Sequence, residues 1–459
     1  MARIKISKSI RQRILQLLSA GHTSSDICRE LGVTSRQVAA IKAHNTMGSY
    51  KQHERLQASG DLREILRAGT DEITPITPGR SRLRGLVPLG VDTSNGNEVN
   101  WDPSPERGAA NPHLMIIGES GFGKTYALHC IVTELALRAM RSIIIDFGRG
   151  FDLDTASAEF IKYAMPREVL VSQHGINLNP LQIHPSDTNG PLNVAVRTAD
   201  CFGRIYRIGI QQHALLRDLI LELFTEFGIQ RSAPTTWNRA APTLSDLNRK
   251  LDQVSSAGSD RRSAKTQSLK SHISTFFLFD TFRSTGEIVS WGDLGQGNST
   301  LIVQLRGLED RIQKVVMEFL LWDLFHYLRR RGPHALDSFC VLDEAHNLSF
   351  HADGPIDKLV REARKFGLGL ILASQQPTDF GRTVFGNTAS KLIFQTFDQG
   401  NRLSRQLANK CIIRTDPELL AREIAQLQKG EALFFANNQI SKVKITSLPK
   451  RALEVIGSS

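Results

Sequence analysis

The sequence predicts an α/β fold: a parallel sheet with a mainly helical insertion, preceded by a small all-α domain. Three observations predict it. A short apolar strand, His113–Ile117, runs directly into the glycine-rich loop Gly118–Thr125 and then into an apolar helix. Two further apolar runs, Ser338–Leu342 and Phe366–Ser374, each end in polar side chains. That is the habit of buried parallel strands whose C-terminal ends face a ligand. Residues 1–45 carry apolar side chains at helical spacing on either side of a Gly-Val turn.

The small domain comes first. Ile10, Ile14, Leu17 and Leu18 recur at helical spacing, and Gly21 stops that helix. Thr23 or Ser24 can cap a second helix with Ile27 and Leu31 on its inner face. Gly32-Val33 turns the chain, Thr34 or Ser35 caps a third helix, and Val38 and Ile41 point inward. This is a helix-turn-helix, in which glycine supplies the left-handed turn. On the third helix Arg36, Gln37 and Lys42 are the candidate DNA contacts, suited to phosphates and base edges in a major groove. Charge agrees: Arg3, Lys5, Lys8, Arg11, Arg13, Arg29, Arg36 and Lys42 face only Asp26 and Glu30, a large share of the net +11 of the whole chain. The same module could instead serve protein contacts.

Residues 46–83 read as a linker, partly helical. Tyr50–Arg67 can form a charged helix, whereas Thr74-Pro-Ile-Thr-Pro-Gly79 suits neither helix nor strand. With 459 residues the chain needs more than one unit, and residues 84–459 form the large one. Its five cysteines are scattered without zinc or disulfide spacing, which suits a reducing cytoplasm. No apolar run is long enough to span a membrane, and the basic N-terminus lacks the apolar stretch of a secretory signal.

Strand, glycine loop and helix in that order form a phosphate-binding loop. Gly118, Glu119, Ser120, Gly121, Phe122 and Gly123 let backbone N–H groups close around the phosphates of ATP, and the helix N-terminus adds its partial positive charge. Lys124 reaches the β- and γ-phosphates, and the Thr125 hydroxyl ligates Mg²⁺.

Such a loop needs an acid on a neighbouring strand. Ser338–Leu342 ends in Asp343, expected to hold the Mg²⁺ shell, and Glu344, expected to deprotonate the attacking water. Phe366–Ser374 ends in Gln375, a candidate sensor of the γ-phosphate. Arg364 precedes that strand, on a helix expected to cross the sheet face. It is the candidate arginine for a neighbouring subunit's γ-phosphate, with a solvated ion pair as the alternative. The strand Ser142–Asp146 ends in an acid that either supports the metal shell or caps the following turn.

Between these strands Gly209–Phe227, Thr243–Leu251, Ala264–Phe277 and Asp310–Arg331 read as helices, and Thr300–Arg306 as a strand. A mainly helical insertion at about residues 185–295, followed by a return to the sheet, fits this order. Asp343-Glu-Ala-His346 spells the motif of DEAH helicases. The stretch separating it from Gly118 is too long for a compact helicase lobe, and no second lobe follows Gln376.

The set Gly118–Thr125, Val341–Leu348, Arg364–Gln375 and Gly430-Glu-Ala-Leu-Phe-Phe435 resembles the HerA/FtsK superfamily of DNA-pumping motors, in its HerA-like branch, from about Arg84 to Leu448. The resemblance implies a RecA-like core, a hexameric ring, and ATP-driven movement of duplex DNA through the pore. Lys124, Asp343, Glu344, Gln375 and Arg364 keep their roles under it. Two departures stand out: Gln375-Gln376-Pro377 replaces the usual Gln-Arg-Pro, and a helix-turn-helix stands where many relatives carry a small β-barrel. The implied partner is a separate nuclease or effector, as in bacterial anti-phage systems. The alternative is a nucleotide-switched DNA-binding regulator or scaffold that moves no strand.

Overall fold

The computed structural model of the chain describes residues 17, 24–31, 38, 85–104, 110–258, 260–292, 299–412 and 415–451. It divides into two units, Met1–Thr77 and Pro78–Ser459. In the first, helix α1 spans Ser24–Leu31, with Asp26 in its first turn and Arg29 in its last, each placed to complement the helix dipole. Ile27, Leu17 and Val38 are buried, as the helical spacing requires. Arg36, Gln37 and Lys42, and the stretches Tyr50–Arg67 and Thr74–Gly79, lie outside the described residues.

The second unit is organised by one 11-stranded sheet. In chain order the strands are β1 (Val87–Asp92), β2 (Glu98–Trp101), β3 (Leu114–Ile117), β4 (Arg141–Asp146), β5 (Pro166–Leu170), β6 (Thr300–Gln304), β7 (Ser338–Leu342), β8 (Leu368–Ser374), β9 (Ser390–Ile393), β10 (Glu431–Ala436) and β11 (Gln439–Ile445). Across the sheet their order is β2-β1-β11-β10-β9-β3-β8-β7-β4-β6-β5. From β9 to β5 every neighbouring pair is parallel. From β9 outward through β10, β11, β1 and β2 every pair is antiparallel.

The central strands are apolar along their whole length because both faces are covered. Leu114 and Ile116 face one core, and Met115 and Ile117 the other. The first core packs the helix α2 (Lys124–Leu137), through Leu128, Ile131 and Leu135, and the helix α3 (Ala158–Ala164). The second packs four helices inserted between β5 and β6: α4 (Pro191–Tyr206), α5 (Ile210–Glu226), α6 (Leu244–Ser256) and α7 (Arg261–Leu278). It also takes α8 (Asp310–Arg331) and α9 (Pro355–Glu362). Helix α8 starts where Glu309 accepts the Arg311 N–H, and its last turn is Arg329-Arg330-Arg331. Gly369 in β8 has no room for a side chain, since an added Cβ would fall 2.2 Å from the Phe339 ring.

Two features bear on the site. The strand carrying the glycine loop, β3, is separated from β7 by β8 alone. The polar residues after β3, β7 and β8 therefore emerge side by side on one edge. The antiparallel hairpin β10–β11, turned by Asn437 and Asn438 at φ of 49° and 60°, brings Gly430 against the loop: its N–H donates to the Phe122 carbonyl at 3.0 Å. Among the described residues no helix is long and apolar enough to cross a membrane.

Candidate nucleotide site

The glycine loop is seated by the strands on either side of it. Gly118 N donates to the Ser374 carbonyl at 3.3 Å, and Glu119 N to the Gln395 carbonyl at 2.8 Å. A side chain at Gly118 would put its Cβ 2.5 Å from that of Phe394. Gly121 and Gly123 adopt φ of 86° and 110°, which L-residues with a side chain rarely do. Gly123 is also the N-cap of α2, so the first N–H groups of that helix open into the loop.

Lys124 is buried, and its Nζ donates to the loop's own Glu119 carbonyl at 3.1 Å. Burial lowers its pKa, and Glu344, Asp343 and Glu119 oppose that shift. The Thr125 hydroxyl donates to Asp343 Oδ2 at 3.2 Å. Asp343 is only 3% exposed. Its carboxyl is pushed up to about 6, first by burial and then by the adjacent Glu344 charge.

These residues fit Mg²⁺ bound with a nucleotide. Two adjacent acids, one of them buried, face the single Lys124 charge, and a divalent cation would add the positive charge they lack. Among the described residues no three His, Cys, Asp or Glu side chains gather into a self-contained metal site. Thr125 and Asp343 would hold such an ion together with phosphate and water, the habit of Mg²⁺ rather than of a caged ion.

Glu344 follows at φ 55°, ψ 48°, a left-handed conformation that costs a non-glycine residue about 1–2 kcal/mol. Its N–H donates to Asp343 Oδ1 at 2.9 Å. Its Oε2 accepts from Gln375 Nε2 at 3.3 Å, and His346 Nδ1 lies 3.1 Å from the same oxygen, at ion-pair distance. Lys124, Thr125, Asp343, Glu344 and Gln375 thus stand together, from the ends of three strands.

Arg364 stands apart from this group. Helix α9 ends at Glu362, and Arg364 lies in a 3-10 turn, Ala363–Phe366, before β8 begins. It is exposed, and its guanidinium donates to the Ala110 carbonyl ahead of β3. Gln375 lies after β8, so the strand's length, about 20 Å, separates the two edges.

Asp146 takes the second of its two expected roles. Its Oδ1 accepts from Gly148 N at 2.9 Å, and its Oδ2 from Phe151 N at 2.9 Å and Gln304 Nε2 at 3.0 Å. It shapes the turn after β4, and that turn is a part of the site absent from the sequence reading. An added Cβ at Gly150 would lie 3.0 Å from Thr125 Cγ2 and 3.1 Å from Asp343 Oδ2. His129, from α2, meets the Gly150 carbonyl at 2.7 Å and stacks on Phe151 and Phe160 with ring centroids 4.6 and 4.5 Å away. Burial lowers the pKa of His129, which favours the neutral ring, with Nε2–H donating to that carbonyl. Gly150→Ala is expected to weaken Mg²⁺-dependent ATP binding about tenfold, or about 1.4 kcal/mol. Nucleotide titration with and without Mg²⁺ checks this, and equal affinities for variant and parent would put the turn away from the phosphates.

Comparison with known proteins follows the same division of the chain. The family described as the central domain of helicase HerA matches residues 108–324. A homeodomain-like domain matches residues 5–50. The DNA double-strand break repair helicase HerA of Sulfolobus acidocaldarius is 28% identical over 167 residues, covering 33% of this chain and 31% of that protein. Its namesake from Saccharolobus solfataricus is 22% identical over 369 residues, covering 73% of this chain and 63% of that protein. The chain thus spans between about one third and just under two thirds of the length of these relatives. Among solved structures, VirB4 of Thermoanaerobacter pseudethanolicus shares the fold, with a TM-score of 0.62 at 20% identity over 80% of this chain and 98% of that one.

Proposed function

We propose that this chain, a P-loop ATPase of the HerA/FtsK type with an N-terminal helix-turn-helix, is a motor that couples ATP hydrolysis to movement along duplex DNA. The observation that carries this reading is the convergence of Lys124, Thr125, Asp343, Glu344 and Gln375 on one sheet edge. A nucleotide-switched scaffold needs the loop and the metal acid. It does not need a carboxylate held by a glutamine from the next strand.

In this reading bound Mg²⁺-ATP supplies the transferable phosphoryl group and the charge that offsets the acids. The chain's own groups do the rest. Lys124 exchanges its bond to the Glu119 carbonyl for phosphate oxygens. Thr125 and Asp343 turn their oxygens toward the metal position. Glu344 takes a proton from water on its carboxylate. Gln375, hydrogen-bonded to that carboxylate, can turn its amide toward the phosphate side and report occupancy.

Arg364 cannot reach its own chain's loop, since a strand's length separates them. We assign it to the nucleotide of a neighbouring subunit, in a ring of hexameric type. We place the assembly in the cytoplasm, beside a separate nuclease or effector, with anti-phage defence as the setting. Arg36, Gln37 and Lys42 would read or hold DNA.

The test is steady-state ATP hydrolysis with and without duplex DNA at one fixed salt concentration, because phosphate contacts are salt-sensitive. Severalfold stimulation by duplex is expected. Hydrolysis indifferent to DNA would favour the nucleotide-switched regulator.

A further inference from the structure

We infer that His346 is a positioning residue for hydrolysis: it is the anchor that holds the Glu344 carboxylate in its working orientation while Gln375 attends to the phosphate. This rests on the ATPase reading above and adds a residue to its site.

Glu344 caps the one-turn 3-10 helix Ala345–Asn347, and the Asn347 N–H returns to its carbonyl at 3.0 Å. The turn doubles back on itself, which is what lets a side chain two residues on reach the glutamate. His346 Nδ1 lies 3.1 Å from Glu344 Oε2. A carboxylate oxygen only accepts, so the contact is attractive in the ring form that has its proton on Nδ1. Gln375 Nε2 donates to the same oxygen at 3.3 Å.

With Gln375 and His346 both against Oε2, Oε1 is the oxygen whose lone pairs remain for a water. The two neighbours are not equivalent. Gln375 is at the end of β8, on the edge where the loop holds phosphate. When its amide turns to a phosphate oxygen or to the attacking water, its bond to Glu344 is given up. His346 sits in the same short turn as Glu344 and has no such competing task, so it keeps the carboxylate from swinging at the moment it is needed. The backbone reinforces this. Glu344 is fixed in a left-handed conformation, and its N–H is tied to Asp343 Oδ1 at 2.9 Å. Side-chain torsion is therefore the freedom left to the base. With the Glu344 side chain 33% exposed, water alone would not hold it in one rotamer.

The experiment measures DNA-stimulated ATP hydrolysis by the full chain carrying His346→Ala or His346→Asn, and by each in a Glu344→Gln background. The His346 side chain is 40% exposed, so neither change empties a core. His346→Ala is expected to lower kcat about 10- to 100-fold, the cost of a misplaced catalytic group, with KM for ATP within about twofold. Asparagine places an amide N–H near the position of Nδ1, so His346→Asn should recover most of the rate. In the Glu344→Gln background, His346→Ala should add no further loss, because the group it positions is already disabled. Unchanged kcat in His346→Ala, a parallel rise in KM, failure of asparagine to rescue, or full additivity with Glu344→Gln would each overturn the inference while leaving the ATPase reading intact. A parent chain that hydrolyses no ATP under any condition removes that reading, and this inference with it.

Discussion

Glu344→Gln is expected to bind ATP with near-parental affinity and to hydrolyse it about 10²- to 10⁴-fold more slowly, the usual worth of a general base. The substitution changes little but the proton affinity of one group. Glutamine has the same length, and its amide oxygen can still accept from Gln375 and lie beside His346 as Oε2 does now. The left-handed backbone is no harder for glutamine than for glutamate. Lys124, Thr125 and Asp343 keep their contacts, so binding of Mg²⁺-ATP survives. The amide cannot take a proton from water, and turnover should stop at the bound state. Equilibrium nucleotide binding paired with single-turnover hydrolysis separates the two effects. Binding lost together with hydrolysis would mean that Glu344 builds the site. Turnover at the parental rate would remove it as the base.

The parts of the site that could be read from sequence are those in which neighbours in space are neighbours in the chain. The glycine loop between β3 and α2 is one: spacing, strand and helix lie within a few dozen residues, and each has a local cause. The acids after β7 and the glutamine after β8 were legible for a related reason, since a polar residue ending an apolar strand marks the sheet edge. The inserted helices α5, α6 and α7 and helix α8 stand where the sequence placed helices. Helix α4 was passed over although its signals are local: Pro191 opens it, and Val194, Ala195, Thr198, Cys201 and Phe202 are buried along it. The antiparallel arm escaped as well. Its strand β1 holds a proline and a glycine in six residues, and its partner β11 lies at the other end of the chain.

The turn at Gly150 and the ring of His129 illustrate what local patterns do not carry. Each is unremarkable in its own segment. What places Gly150 against Thr125 and Asp343 is the parallel pairing of β4 with β7 and the stacking of His129 on Phe151 and Phe160. Strand polarity carries more than these local patterns do. In a parallel sheet, residues before a strand and residues after it lie on opposite edges. The order Arg364, β8, Gln375 alone therefore separates the arginine from its own chain's nucleotide.

That separation sets the last expectation. Arg364→Ala is expected to lower hydrolysis about 10³-fold or more, the scale of a charge-stabilising arginine, and to act through neighbours. The substituted subunit keeps an intact loop, metal acid and base, and its own contribution on this reading is made at the next subunit's nucleotide. Mixed with parental chains at increasing fractions, it should depress activity faster than its share, because each variant disables a site it does not own. The bond to the Ala110 carbonyl predicts a smaller, separate effect on the start of β3. Arg364→Lys, which keeps the charge but loses the planar fork, helps to separate the two. It should retain the fold and the parental Tm yet recover little of the hydrolysis. Loss of activity strictly proportional to the variant fraction would confine Arg364 to its own chain. The strand between it and Lys124 would then leave it a structural role at the far edge of the sheet.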